Sequence, residues 1–187
     1  YYLEMNQKRV PAFKSLKVRR ALSMAINRKD FIKQVLGNGS QAISTVVPAK
    51  MMYNADGKDF TTESDKKVGE YTSYNLKKAK KLFAEGMKEE GQTSVNFTIL
   101  TDDTDGAKST VQYLQSAFEK LASGNLKVKV STQTVPFKTR LQLSTDHKFD
   151  MVVSAWSADF PDAISFLDMF TTGNSYNRGQ WSDATYD

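Results

Sequence analysis

The segment Trp156-Ser157-Ala158-Asp159-Phe160-Pro161-Asp162 gathers the groups in this chain best suited to holding a ligand. It follows a mostly continuous apolar run from Phe149 to Ala155, the pattern of a strand covered on both faces. The turn therefore sits at a strand's carboxyl end, and ligands of open α/β sheets bind in the crevice outside such ends. There Trp156 would offer a flat apolar wall and Asp159 a fixed negative charge. A half-buried carboxylate stays ionised when a cation pairs with it, so its natural guest is a primary ammonium. The backbone of Ala155 to Ser157 could also pair with an extended chain, as in β-augmentation. Together these features suit the free N-terminal end of a peptide. The same residues equally fit a core Trp and an Asp capping the Pro161 turn, and residue types alone leave both readings open.

Other clusters carry less chemistry. Aligning Gly106 of Thr101-Asp102-Asp103-Thr104-Asp105-Gly106 with the invariant glycine of a calcium loop puts Thr101 and Gln112 where Asp and a bidentate Glu are needed. A strand-to-helix turn capped by Asp105 is the expectation instead. His147, the one imidazole, lies between acidic neighbours without a nucleophile or metal partner, and reads as a solvated surface residue. Gly37-Asn38-Gly39 lacks the third glycine and the lysine of a phosphate loop. With no Cys, there is no disulfide framework, thiolate metal site or Cys nucleophile. Nothing argues for an enzyme, a metal or a cofactor.

The elements that must position the turn follow from periodicity. Tyr1 to Asn6 alternates weakly, as a short strand. Val18, Ala21, Leu22 and Ala25 have helical spacing, with Ser15 as N-cap. A second short helix over Asp30 to Leu36 ends at Gly37. Residues 38–74 are turn-rich and aperiodic, and read as a long loop with small strand pieces; a loop of that length is usually functional or pinned elsewhere. Asn75 caps a helix with Leu76, Ala79, Leu82, Phe83 and Met87 on one stripe, stopping near Gly91. Alternation marks strands at Val95 to Ile99 and Leu126 to Val130, separated by a helix with Val111, Leu114 and Phe118 inward. Pro136 at the first helical position opens a short helix through Leu143, and a helix over Ala163 to Phe170 closes the chain. The succession of helices and strands means an α/β fold, a mixed sheet flanked by helices.

The 187 residues suffice for one domain with a real core. No apolar stretch approaches the ~18 residues of a membrane span. The chain opens at Tyr1-Tyr2 without a signal peptide, and reads as cut from something longer. The net charge of +5 hides a gradient: residues 1–50 carry ten Lys/Arg and two Asp/Glu, whereas residues 150–187 carry one Arg and six Asp. Lysines such as Lys77, Lys78, Lys80 and Lys81 fall on solvent faces of predicted helices, so no nucleic-acid partner is expected.

Several segments resemble family 5 of the bacterial extracellular solute-binding proteins. Leu16-Lys17-Val18-Arg19-Arg20-Ala21-Leu22 with Ala25-Ile26-Asn27-Arg28 is similar to that family's "VRxALxxAxxR" helix. Tyr74 to Leu82 is similar to its "Y-D-P-x-K-A-K-x-L" helix, and Phe149-Asp150 with Trp156 to Asp162 to its "FD…GWxADYPD" segment. Asn177 and Asp187 fall where that segment's tail has "N…D". The resemblance implies a lobe of a type II periplasmic-binding-protein-like fold, here residues 1–187 as a single α/β lobe of a larger two-lobe receptor. Its implied function is to bind peptides for an oligopeptide ABC importer. The implied partners are the peptide, the permease subunits and the receptor's other lobe. The implied location is extracytoplasmic, with membrane attachment only through a lipid anchor outside this fragment. The resemblance assigns the peptide's α-ammonium to Asp159, a side-chain pocket to Trp156, and backbone pairing to Ala155 and Ser157. Phe137 falls where oligopeptide binders have a second pocket aromatic, although a first-turn core anchor fits it as well. Val153 stands where some members have an Arg that meets a peptide carboxylate, and Ala155 replaces the glycine before the Trp. A peptide-sensing or interaction module without transport is the alternative use of the same lobe.

Overall fold

A computed structural model describes all residues, Tyr1–Asp187. Strand β1 (Tyr2–Met5) leads through a 3-10 turn, Pro11–Lys14, into α1 (Leu16–Ala25). The Ser15 hydroxyl accepts the Val18 amide, as the capping pattern requires. Then α2 (Arg28–Phe31) runs into a π-helical turn, Ile32–Leu36, closed by Gly37 in the left-handed region at φ 56°.

Residues 38–74 correct the expectation of a loop, because they contain a thirteen-residue helix, α3 (Phe60–Thr72). It buries none of its residues, so it has no apolar stripe to reveal it. Asp59 caps it, and the Arg20 guanidinium lies 3.9 Å from the ring centre of its Tyr71. Next, α4 (Leu76–Glu89) packs directly on α1. A Cβ on its Gly86 would lie 2.6 Å from Ser15 Oγ and 2.9 Å from the Val18 amide nitrogen, so only glycine permits that approach.

Strand β2 (Ser94–Asp102), α5 (Asp105–Glu119), β3 (Lys127–Val135), α6 (Phe137–Thr145) and β4 (Met151–Ser154) complete the alternation. Two caps shift by one residue: Thr104 rather than Asp105 caps α5, and Pro136 precedes α6 rather than opening it. The closing helix is shorter than expected, α7 (Ile164–Leu167) followed by a 3-10 turn, Asp168–Phe170.

The sheet is mixed, in the order β1-β4-β2-β3, with β1 antiparallel and the other three parallel. Alternation along the strands gives it two different faces. One buries Phe97, Ile99, Val130 and Met151 in a cluster of 21 residues with α1, α4 and α5. The other packs Leu100 and Val152 with Phe149 and Leu143 of α6. The crossovers β2–α5–β3 and β3–α6–β4 run in opposite directions across the sheet, which places their helices on opposite faces.

Candidate ligand-binding site

That reversal of direction creates a crevice. Strand β4 pairs with β2 only through Ile99↔Met151 and Leu100↔Val152. Beyond this point Thr101 and Asp102 stay with β3, while Val153 and Ser154 stay with β1. Over the carboxyl ends of the parted strands lies a cavity of ≈ 880 Å³. Its walls include Thr101, Asp102, Arg140, Ser154, Ala155 and Trp156. Residues 40–46, from the expected loop, form another part of the lining. Val47 pins that segment, fully buried with Ala163 and Phe166 in a cluster that also touches Trp156.

After Ser154 the chain leaves the sheet. Ala155 and Ser157 are exposed, and no amide or carbonyl from Ala155 to Ala158 bonds within the chain. Trp156 is half-buried. Its indole N–H donates to the Ser165 carbonyl at 2.8 Å, and its ring meets Tyr176 at 4.8 Å between centroids, inclined 60°. With its one polar group bonded internally, the indole can present only apolar surface. The Asp159 amide donates to Ser165 Oγ at 3.0 Å, which fixes the turn, and the exposed Asp159 carboxylate forms no ion pair. The structure thus brings Ala155 and Trp156 into the cavity lining, while Ser157 and Asp159 lie on the exposed turn outside it.

Phe137 also stands outside the cavity lining. It is 55 % exposed and so is no core anchor, and the Arg140 guanidinium lies 5.0 Å from its ring centre. Sequence reasoning missed the next pair. Arg140 Nε donates to Asp102 Oδ1 at 2.9 Å, and both residues line the cavity. Asp102 belongs to the acidic run set aside as a turn, and Arg140 lies one helical turn after Phe137. No local pattern links residues 38 positions apart, so the pair was not legible before the strand order was known.

Behind the crevice, the same sheet face continues as a polar layer. Glu4 is 5 % exposed and accepts from Ser154 Oγ and from the amides of Arg178 and Gly179. Burial pushes the Glu4 carboxyl above its usual range. Burial, reinforced by Glu4, also pushes the Tyr2 phenol up to about 12. His147 corrects the expectation of a solvated surface residue. It is half-buried with φ 55°, its Nδ1 lies 2.9 Å from the Arg178 carbonyl, and its own carbonyl accepts from Asn6. Two resemblance residues are structural as well. Asp150 accepts the Thr98 amide and pairs with Arg9, and Asn177 donates to the carbonyls of Phe170, Thr171 and Trp181. These bonds fix the loop that presents Tyr176 to Trp156.

Comparisons with known proteins bear on the family and the fold. Residues 1–178 match the family described as bacterial extracellular solute-binding proteins, family 5 Middle. The dipeptide-binding protein of Lactococcus lactis subsp. cremoris (strain MG1363) is 37 % identical over 171 residues, 91 % of this chain and 30 % of that protein. A crystal structure of a peptide ABC transporter peptide-binding protein superposes with a TM-score of 0.88 at 38 % identity, covering 98 % of this chain and 78 % of the other. Listeria monocytogenes OppA bound to peptide superposes with a TM-score of 0.87 at 32 % identity, covering 100 % of this chain and 36 % of that one. The chain spans about a third of the length of the curated relatives it matches.

Proposed function

This chain belongs to family 5 of the bacterial extracellular solute-binding proteins, and from that premise we propose that it is the peptide-binding lobe of an importer's receptor. In this reading the complete protein has two lobes that close on a peptide and deliver it to the permease of an ABC transporter. It works outside the cytoplasmic membrane, held there by a lipid anchor beyond residues 1–187. The relatives named as dipeptide- and oligopeptide-binding proteins support the ligand class.

One observation carries the assignment of the site: the unpaired backbone of Ala155 to Ser157 runs from the cavity wall to the free carboxylate of Asp159. An extended peptide can add its main chain to that segment, which supplies affinity independent of sequence. Its terminal ammonium then meets Asp159 as a charge-assisted hydrogen bond. Trp156, held by Ser165 and Tyr176, forms an apolar wall for a peptide side chain, with Phe137 a second aromatic contact on the opposing helix. Both lobes must contribute for tight binding, so the isolated lobe binds weakly.

Calorimetry on the full-length receptor tests this reading with a free-amine tripeptide and its N-acetyl analogue. Asp159→Ala should weaken the free-amine peptide by about a hundredfold, as expected for loss of a desolvated charge pair, and leave the acetylated one unchanged. Equal affinities for the free-amine peptide in wild type and variant would remove the ammonium role.

A further inference from the structure

Building on the peptide reading, we propose that Arg140 is a carboxylate anchor of the groove, engaging a carboxylate of the bound peptide through the terminal nitrogens of its guanidinium. A guanidinium carries five N–H donors in a rigid fork. In Arg140 only Nε is satisfied, by Asp102 at 2.9 Å, and Nη1 and Nη2 donate to no group of the chain. The side chain is nonetheless only 7 % exposed, and the residue lines the same cavity as Ala155 and Trp156. Its terminal nitrogens are not sealed in: the one buried side-chain nitrogen or oxygen without a partner is Arg178 Nε, so Nη1 and Nη2 of Arg140 keep access to solvent. The guanidinium is thus enclosed as a whole while its four terminal donors stay open to an incoming acceptor.

Two contacts fix the fork before any ligand arrives. Asp102 holds the Nε side, and the Phe137 ring lies 5.0 Å from the guanidinium carbon. What remains free is the edge formed by Nη1 and Nη2, a planar pair of cationic donors. Its complement is a planar anion with two acceptor atoms, which among peptide groups is a carboxylate. Asp102 does not exhaust the charge, since it is 28 % exposed and meets one donor only. The site would thus offer opposite charges to one zwitterionic guest: the free carboxylate of Asp159 on the turn and the half-used guanidinium of Arg140 in the crevice. A peptide carboxylate has two sources, the C-terminus and an acidic side chain, and the test separates them.

The probes are Ala-Ala-Ala, Ala-Ala-Ala amide, Ala-Glu-Ala amide and Ala-Gln-Ala amide, titrated calorimetrically into the full-length receptor and its Arg140→Gln and Arg140→Lys variants. Wild type should favour at least one carboxylate probe over its uncharged counterpart by about tenfold, the scale of one charge-assisted bidentate contact. Preference within the first pair identifies the C-terminus; preference within the second identifies a side chain. Arg140→Gln should abolish the preference by weakening the carboxylate probes alone, and Arg140→Lys, which keeps charge but loses the fork, should retain part of it. The uncharged probes report whether each variant still folds and binds. Three results would overturn the anchor: no carboxylate preference in wild type, a preference that survives in Arg140→Gln, or equal weakening of all four probes. If wild type bound none of the four, the peptide reading itself would fall, and the anchor with it.

Discussion

One face of the sheet buries Phe97, Ile99, Val130 and Met151 against three helices, whereas the other sets Glu4, Asp102 and Ser154 beside Arg140 of α6. Both faces bury most of these side chains, yet they use burial differently. The apolar face gains from every methylene removed from water, about 25 cal/mol per Å² of apolar surface. The polar face gains little net stability, because each buried charge gives up hydration that its partners only replace. What the polar face gains is position. Its hydrogen bonds hold β1, β4, α6 and the 171–181 loop in the arrangement that frames the crevice. The two faces thus divide the work, with stability on one side and the shape of the crevice on the other.

Substitutions can test that contrast. The largest effect should come from Phe118→Ala, since the ring is fully buried and packs on Phe97 at 6.0 Å between centroids. A loss of about 3–5 kcal/mol is expected in urea unfolding, and a loss below about 1 kcal/mol would show that the apolar face is not the stabilising one. Gly86→Ala tests the contact of α1 with α4 behind that face. The new methyl would press on Ser15 and on the Val18 backbone, and about 1–3 kcal/mol should be lost by the same measurement.

Glu4→Gln sharpens the comparison from the polar side through pH. Burial raises the folded carboxyl above 4.5, so the folded state holds its proton more tightly than the unfolded chain. The contribution of Glu4 is therefore fully present below about pH 4.5 and is lost as the pH rises through the higher folded value. Stability of wild type relative to Glu4→Gln, followed by urea unfolding, should fall from acid toward neutral pH. A difference independent of pH would place the charge in a better-compensated site than its burial implies. The smallest change should be Ser15→Ala, which removes the α1 cap and costs about 0.5–1 kcal/mol in thermal unfolding without touching the crevice.

How much of this was legible in advance varied with the kind of signal. The α4 helix declared itself through a stripe ending in Phe83 and Met87, both now fully buried. Helix α3 did not, because no residue of Phe60–Thr72 is fully buried; it is held by the Asp59 cap, by Arg20 on Tyr71 and by partial packing of Phe60 and Tyr71 at its two ends, which leave no periodic trace. Within the site, the turn carrying Trp156 and Asp159 was visible because its residues are consecutive. The pairing of Asp102 with Arg140, and of Glu4 with the loop at Arg178, joins positions that only the β1-β4-β2-β3 order makes neighbours.

The sequence alone carries the α/β class, most helix and strand boundaries to within a few residues, the family motifs, and the position of the Trp156–Asp162 turn at the end of an apolar strand. These are local properties, set by spacing along the chain and by hydrogen bonds between near neighbours. Only in three dimensions is it settled that β2 and β4 part after two paired residues, that residues 40–46 line the gap, and that Arg140 lines it with its terminal nitrogens unpaired. Those outcomes depend on which strands lie side by side and on the direction of each crossover. Such choices are made by packing the whole chain around one core, and no segment of it encodes them alone.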